Sequence, residues 1–149
     1  MDKEPKSAVP NLDEFLCFSL YGAGLSMTRI YKPLLEPFGL TYPQYLVLTA
    51  LSERDGLKVG ELGERLQLET NTLTPLVKRL EAAGLVSRQR DPADERVVRV
   101  SLSAQGRKVI SEAYGCIPQQ VLSAIGMSEA ELRDLNVRLR TLQKALGEA

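Results

Sequence analysis

Residues 68–102 read LETNTLTPLVKRLEAAGLVSRQRDPADERVVRVSL, and this stretch decides the fold. Leu73, Leu76, Val77, Leu80 and Ala83 recur at three- and four-residue steps, which gives a helix one apolar face. The opposite face carries Asn71, Thr72, Thr74, Lys78 and Arg79: short hydrogen-bonding side chains and two cations. Thr70 is placed to cap the helix start, and Gly84 stands where a left-handed residue closes a helix. Residues 85–90 and 96–102 read as two short strands, and Asp91-Pro92-Ala93-Asp94-Glu95 between them has turn chemistry. A helix running directly into a basic hairpin is the outline of a winged helix, a head that docks on duplex DNA.

Outward from that stretch, Gly60 to Leu66 predicts a short helix and Leu57-Lys58-Val59 a short strand, so a helix–turn–helix precedes the wing. Thr41-Tyr42-Pro43-Gln44 is a helix start, and the nearly unbroken apolar run 45–51 places that helix in the interior. Asn11-Leu12-Asp13-Glu14 has the form of a capping box for a long apolar helix over about 12–36, with Pro33 removing a donor and bending it. On the other side, Ser103 caps a helix over about 104–125 that Gly106, Gly115 and Pro118 weaken. Ser128-Glu129-Ala130-Glu131 is a capping box for a last helix to about 146, with Leu132, Leu135, Leu139, Leu142 and Leu146 at helical spacing.

The expected fold is therefore mainly α with a small β-wing. A winged helix-turn-helix head spans about 41–102, within one domain over 11–149 that follows a flexible segment over 1–10. The flanking helices, 12–36 and 104–146, carry more apolar surface than one small domain covers. A two-fold dimer buries such a surplus; an intramolecular bundle is the alternative.

Composition narrows the function. Hydrophobic content of 44% and charged content of 26% are those of an ordinary globular chain. No apolar run approaches the ~20 residues that span a bilayer, and the polar start MDKEPKSAVP is neither signal peptide nor anchor, so a cytoplasmic protein is expected. The chain has no histidine, which excludes histidine metal sites and serine–histidine or cysteine–histidine catalysis. Cys17 and Cys116 lie too far apart in sequence to read as a metal-ligand cluster, and no cofactor is implied. Net charge is zero, yet residues 65–108 hold nine Lys/Arg against five Asp/Glu. The positive excess falls on the expected head.

In that head Thr70, Asn71, Thr72 and Thr74 suit base edges in the major groove, while Lys78 and Arg79 suit phosphates. The wing adds Arg88, Arg90 and Arg96. Arg96 at the turn's exit is placed for the minor groove, with Asp94 fixing its guanidinium. Arg99 reads equally as a cross-strand surface charge. The competing reading of the whole face is a solvated polar surface.

Asp94-Glu95-Arg96, followed by Val100-Ser101-Leu102-Ser103 and Gly106, resembles the wing signature of the MarR family of winged-helix repressors. Thr72-Leu73-Thr74-Pro75-Leu76, with Lys78-Arg79-Leu80-Glu81 and Gly84-Leu85, is similar to that family's recognition helix. Leu16-Cys17-Phe18, Leu20-Tyr21, Tyr31-Lys32-Pro33-Leu34-Leu35 and Leu40-Thr41-Tyr42-Pro43-Gln44-Tyr45 resemble the organic hydroperoxide resistance regulators within it. The likeness runs from Leu12 to Leu146.

The resemblance implies a homodimeric repressor of a pseudo-palindromic double-stranded operator, with Cys17 as peroxide sensor and Tyr31 and Tyr42 as its phenolic partners. It also implies that a gene for a thiol peroxidase is the target. By residue chemistry alone, Cys17 reads as a small core residue and each tyrosine as an amphipathic core-edge residue. Fourteen residues of straight helix span about 21 Å, so Tyr31 cannot touch Cys17 of its own chain, and any contact crosses a dimer interface. Phe15, Leu16, Phe18 and Leu20 around Cys17 suit a lipophilic hydroperoxide. They also raise a thiol's pKa unless donors compensate. Two-cysteine members carry their second thiol near where this chain has Ser123 to Met127. Cys116 is thus either a resolving thiol displaced by about two turns or a bystander, in which case a small cellular thiol caps Cys17.

Three other readings compete. One is a MarR-type repressor answering a small phenolic ligand. Another is a cysteine peroxidase, against which stand the lack of a local CxxC pair and of histidine, with the basic hairpin left unexplained. The last is a winged helix that binds protein rather than DNA.

Overall fold

The computed structural model describes residues 11–147, so the segment 1–10, expected to be flexible, lies outside the described residues. Asn11 does not start the long helix. Its Oδ1 accepts from the Asp13 N–H at 3.1 Å and closes a single 3-10 turn, Leu12–Glu14. Phe15 is then extended, and helix α1 begins afresh at Leu16 and runs through Pro33 to Leu35 (Leu16–Leu35). The expected start at 12 is corrected by four residues, because the cap is consumed by the donor two places on.

Thr41 opens helix α2 (Tyr42–Glu53) with a full capping box. Its hydroxyl accepts from the Gln44 N–H at 3.3 Å, and the Gln44 side-chain oxygen accepts from the Thr41 N–H at 3.0 Å. Two N-terminal donors are thereby satisfied. As the apolar run predicts, Tyr45, Val47, Leu48, Ala50 and Leu51 are buried. Strand β1 (Leu57–Lys58) leads into α3 (Val59–Leu66), and α4 (Thr70–Ala82) follows after a tight turn. In that turn Gln67 adopts φ 57°, and the Leu68 N–H donates to the Gly63 carbonyl at 3.0 Å. A Cβ at Gly63 would lie 2.8 Å from the Leu68 oxygen, so this approach of α3 and α4 requires glycine.

Two readings of α4 change. Thr70 is its first residue rather than its cap, since Glu69 holds that place and makes no side-chain capping bond. Ala83 is exposed rather than on the apolar face. Gly84 turns left-handed at φ 76° and the Leu85 N–H returns to the Leu80 carbonyl at 3.0 Å, so the chain reverses and Leu85 is buried instead.

Strands β2 (Val86–Asp91) and β3 (Asp94–Leu102) pair antiparallel, and β1 joins β3 on its other edge, giving the order β1-β3-β2. Pairs such as Arg88↔Val100 and Asp91↔Asp94 set the register. β2 is shifted by one residue from the expected 85–90 and β3 starts two residues early, so the turn is only Pro92-Ala93, where Asp91 Oδ1 accepts from the Ala93 N–H at 2.8 Å.

Ser103 caps α5 (Ala104–Tyr114), accepting from the Gly106 N–H at 3.0 Å and donating to the Gly84 carbonyl at 2.6 Å. A Cβ at Gly106 would collide with the Leu85 carbonyl. The single helix expected over 104–125 is in fact two. Gly115 and Cys116 break it, and α6 (Ile117–Ile125) starts with Pro118 in its first turn, where a missing N–H costs nothing. The Ser128/Glu131 capping box forms as predicted, at 2.9 and 3.1 Å, ahead of α7 (Glu129–Gly147).

One core unites Leu35, the inner face of α2, Leu62, the Leu73–Val77–Leu80 stripe of α4, Val100, Ile110 and Ile117. The apolar residues of α1's first half and of α7 have no such cover. Leu16 is 60% exposed, Leu146 is 65% exposed, and α7 buries no residue. Among the described residues, no helix is long and apolar enough to cross a membrane.

Candidate functional site

The head presents a polar, cationic surface built on two elements. Burial of Leu73, Val77 and Leu80 fixes the rotation of α4, so Thr70, Asn71, Thr72, Lys78 and Arg79 face solvent and Thr74 is half-covered. Pro75 inside α4 lacks the N–H that would have bonded the Asn71 carbonyl, so that acceptor has no i+4 backbone donor. A cleft of about 570 Å³ between α3, α4 and the hairpin brings together Thr70, Thr74, Arg88 and Arg96, with Lys58 and the carboxylates Glu61 and Glu64 also lining it. Asn71, Thr72, Lys78, Arg79 and Arg90 lie outside that cleft.

The wing arginines are held differently. Arg96 is anchored at its root by Asp94, which accepts from its backbone N–H and from Nε, each at 3.1 Å, while its side chain stays 92% exposed. Hydrogen bonds from the Arg96 side chain and then its backbone hold the Asp94 carboxyl below the usual range. Arg88 is instead clamped by Glu81 of α4, which accepts from its backbone N–H at 2.9 Å and from its guanidinium at 3.0–3.1 Å. Those bonds, the backbone one foremost, lower the Glu81 pKa. Arg90 donates to the Glu95 carbonyl at 3.2 Å across the hairpin. Arg99 proves structural. Its Nε holds Asp91 at 2.8 Å and its Nη1 donates to the Gly56 carbonyl at 3.0 Å.

The second constellation is aromatic. Tyr31 of α1 and Tyr42 of α2 pack with ring centroids 4.6 Å apart. Tyr45 lies 5.9 Å from Tyr31, and Tyr114, at the end of α5, meets Tyr45 edge-on at 6.1 Å. Burial raises the Tyr31 pKa, with the charge of Tyr42 adding to it, and burial alone raises that of Tyr42. Tyr45 is pushed up to about 12 by burial first, then by Tyr31, Tyr114, Tyr42 and Cys116. At neutral pH all three are phenols with a proton to donate.

Cys17 stands exposed near the start of α1 with Phe15, Leu16 and Phe18, and the same continuous helix carries Tyr31 fourteen residues further on. Within one chain that separation is about 21 Å, so the sulfur and the phenols are not brought together. Cys116 sits half-buried at the α5–α6 break, its thiol donating to the Glu112 and Ala113 carbonyls at 3.7 Å. Both thiols are free. Sequence reasoning missed Tyr45 and Tyr114 as members of the cluster. Tyr45, three residues after Tyr42, shares its helical face and was visible in the spacing; nothing in the sequence marks Tyr114. Glu81 and Asp91, which order the wing arginines, were likewise missed.

A helix–turn–helix continued by a basic three-stranded wing, carried on long terminal helices, defines a winged-helix transcriptional regulator. The comparisons are specific. The family model described as transcriptional regulator SarA/Rot matches residues 29–113. The chain is 42% identical over 137 residues to the organic hydroperoxide resistance transcriptional regulator of Bacillus subtilis (strain 168), covering 92% of each. It is 46% identical over 136 residues to the HTH-type transcriptional regulator TtmR of Methylorubrum extorquens (strain PA1), covering 91% of this chain and 69% of that one. AbfR of Staphylococcus epidermidis is similar in structure. Its reduced, DNA-bound form superposes with TM-score 0.79 at 32% identity, covering 89% of this chain and 90% of that one. Its overoxidised, DNA-bound form gives 0.73 at 33%, covering 88% and 91%. The chain belongs to the MarR family of winged-helix transcriptional regulators.

Proposed function

We propose that this regulator is a homodimeric, cytoplasmic repressor that senses organic hydroperoxides through Cys17 and lets go of a pseudo-palindromic operator on oxidation. The observation that carries the reading is the division of α1: an exposed thiol among uncovered apolar side chains at one end, protonated and packed phenols at the other. A two-fold partner lying antiparallel along α1 covers the apolar side chains and sets each thiol beside the partner's phenols in one arrangement. Phenolic hydrogen bonds stabilise the thiolate against its oily surroundings.

The thiolate sulfur takes the terminal oxygen of the hydroperoxide. The O–O bond breaks, the alkoxide leaves and takes a proton from water, and the sulfur is oxidised by two electrons to sulfenic acid. A thiol then condenses with it, forming a disulfide and releasing water. That thiol is Cys116 of the partner or a small cellular thiol. Thr70, Asn71, Thr72 and Thr74 meet base edges, Lys78, Arg79, Arg88 and Arg90 the phosphates, and Arg96, steadied by Asp94, the minor groove. Likeness to the Bacillus subtilis regulator and to AbfR, solved on DNA in reduced and overoxidised forms, supports thiol sensing over induction by a phenolic ligand, and the release step rests on the mobility shift below.

The test is a mobility shift on a duplex selected from a random pool by the reduced protein, with and without cumene hydroperoxide. Wild type should release the duplex, and Cys17→Ser should stay bound under the same dose. Equal release from Cys17→Ser would remove the thiol switch and leave a repressor induced by other means.

A further inference from the structure

Asp55 and Gly56, in the three-residue link 54–56 between α2 and β1, gather three long-range hydrogen bonds. Asp55 Oδ1 accepts from the N–H of Leu102, the last residue of β3, at 2.9 Å. Asp55 Oδ2 accepts from Arg107 Nη2 of α5 at 2.6 Å. The Gly56 carbonyl accepts from Arg99, which holds Asp91 at the far end of β2. Gly56 takes φ 69°, a left-handed setting that turns its carbonyl toward the sheet and favours glycine.

The neighbouring joint between α5 and the head is rigid. Ser103 donates to the Gly84 carbonyl, and Gly106 packs on the Leu85 carbonyl without room for a Cβ. The Arg107–Asp55 pair is different in kind. It joins two side chains, 60% and 32% exposed, that can part without breaking backbone geometry. One carboxylate thus grips the root of the wing with one oxygen and the first turns of α5 with the other.

We propose that Asp55 is a positioning residue that couples α5 to the wing, so that the Arg107 arm converts a change in the terminal helices into a change in wing setting. The proposal rests on the peroxide-release reading above and names how the signal leaves the terminal helices. A partly exposed ion pair adds little to stability, so its effect belongs in the difference between two states of the regulator rather than in either alone.

The experiment measures operator Kd before and after cumene hydroperoxide, together with Tm, for wild type, Asp55→Asn, Arg107→Gln and Arg107→Lys. Asp55→Asn keeps an oxygen for the Leu102 N–H and replaces the charged acceptor of Arg107 by an amide NH2. In Asp55→Asn and Arg107→Gln the reduced protein should bind and melt much as wild type does, while the ratio of oxidised to reduced Kd falls about fivefold or more. Arg107→Lys should recover part of that ratio. An unchanged ratio in both variants overturns the coupling role. So does a parallel loss of Tm and of reduced binding, which marks a structural brace. Wild type that keeps its operator under peroxide overturns the release reading itself, and this proposal with it.

Discussion

Helices α4 and α7 carry the same kind of leucine spacing and meet opposite fates. On α4 the stripe Leu73, Val77, Leu80 is no more than 2% exposed, sealed against α2 and the sheet. On α7 the leucines at 132, 135, 139, 142 and 146 follow the same periodicity, and none is buried. Periodicity reports that a helix has an apolar face; it does not say what covers that face. The head closes its own core, whereas α7 and the first half of α1 leave their apolar faces uncovered, the surface that the proposed dimer would bury.

The strongest way to break this contrast is one substitution on each helix. Leu80→Ala should cost about 2–5 kcal/mol, and the loss should be the same at every protein concentration in thermal unfolding. Leu135→Glu should leave the head folded but weaken the dimer, so that it dissociates at protein concentrations where wild type stays dimeric. A concentration-independent Tm in wild type itself would mean that α7 has no partner. The smallest effect belongs to the start of α7. Ser128→Ala removes one half of a capping box, and its expected cost of about 1 kcal/mol should appear as fraying of the first turn in amide exchange.

Much of the head was legible because its signals are local. The α4 stripe, the Gly84 reversal, the Thr41 and Ser128 boxes and the basic hairpin each depend on residues within a few places of one another. The errors arose where two local signals competed. Asn11 offered an acceptor to both Asp13 and Glu14, and the nearer donor took it. Gly115 and Pro118 look like weak points in one helix, though a proline fits the first turn of a new one. What stayed illegible is tertiary. Tyr114 reaches Tyr45 only because α5 folds back on α2, and Asp55 meets Leu102 and Arg107 across 47 and 52 residues of chain. The candidate sensing residues were named by resemblance, since a lone thiol on an apolar helix carries no signal of its own.

The tyrosine cluster has one further consequence. Its phenols are driven away from neutrality, and the chain holds no imidazole. Thiols and the chain's amino end aside, it has no group with an ordinary titration between pH 5 and 8. Between those limits a shift in acidity finds no imidazole to charge, so any pH dependence of DNA binding there would have to enter through sulfur or the amino end.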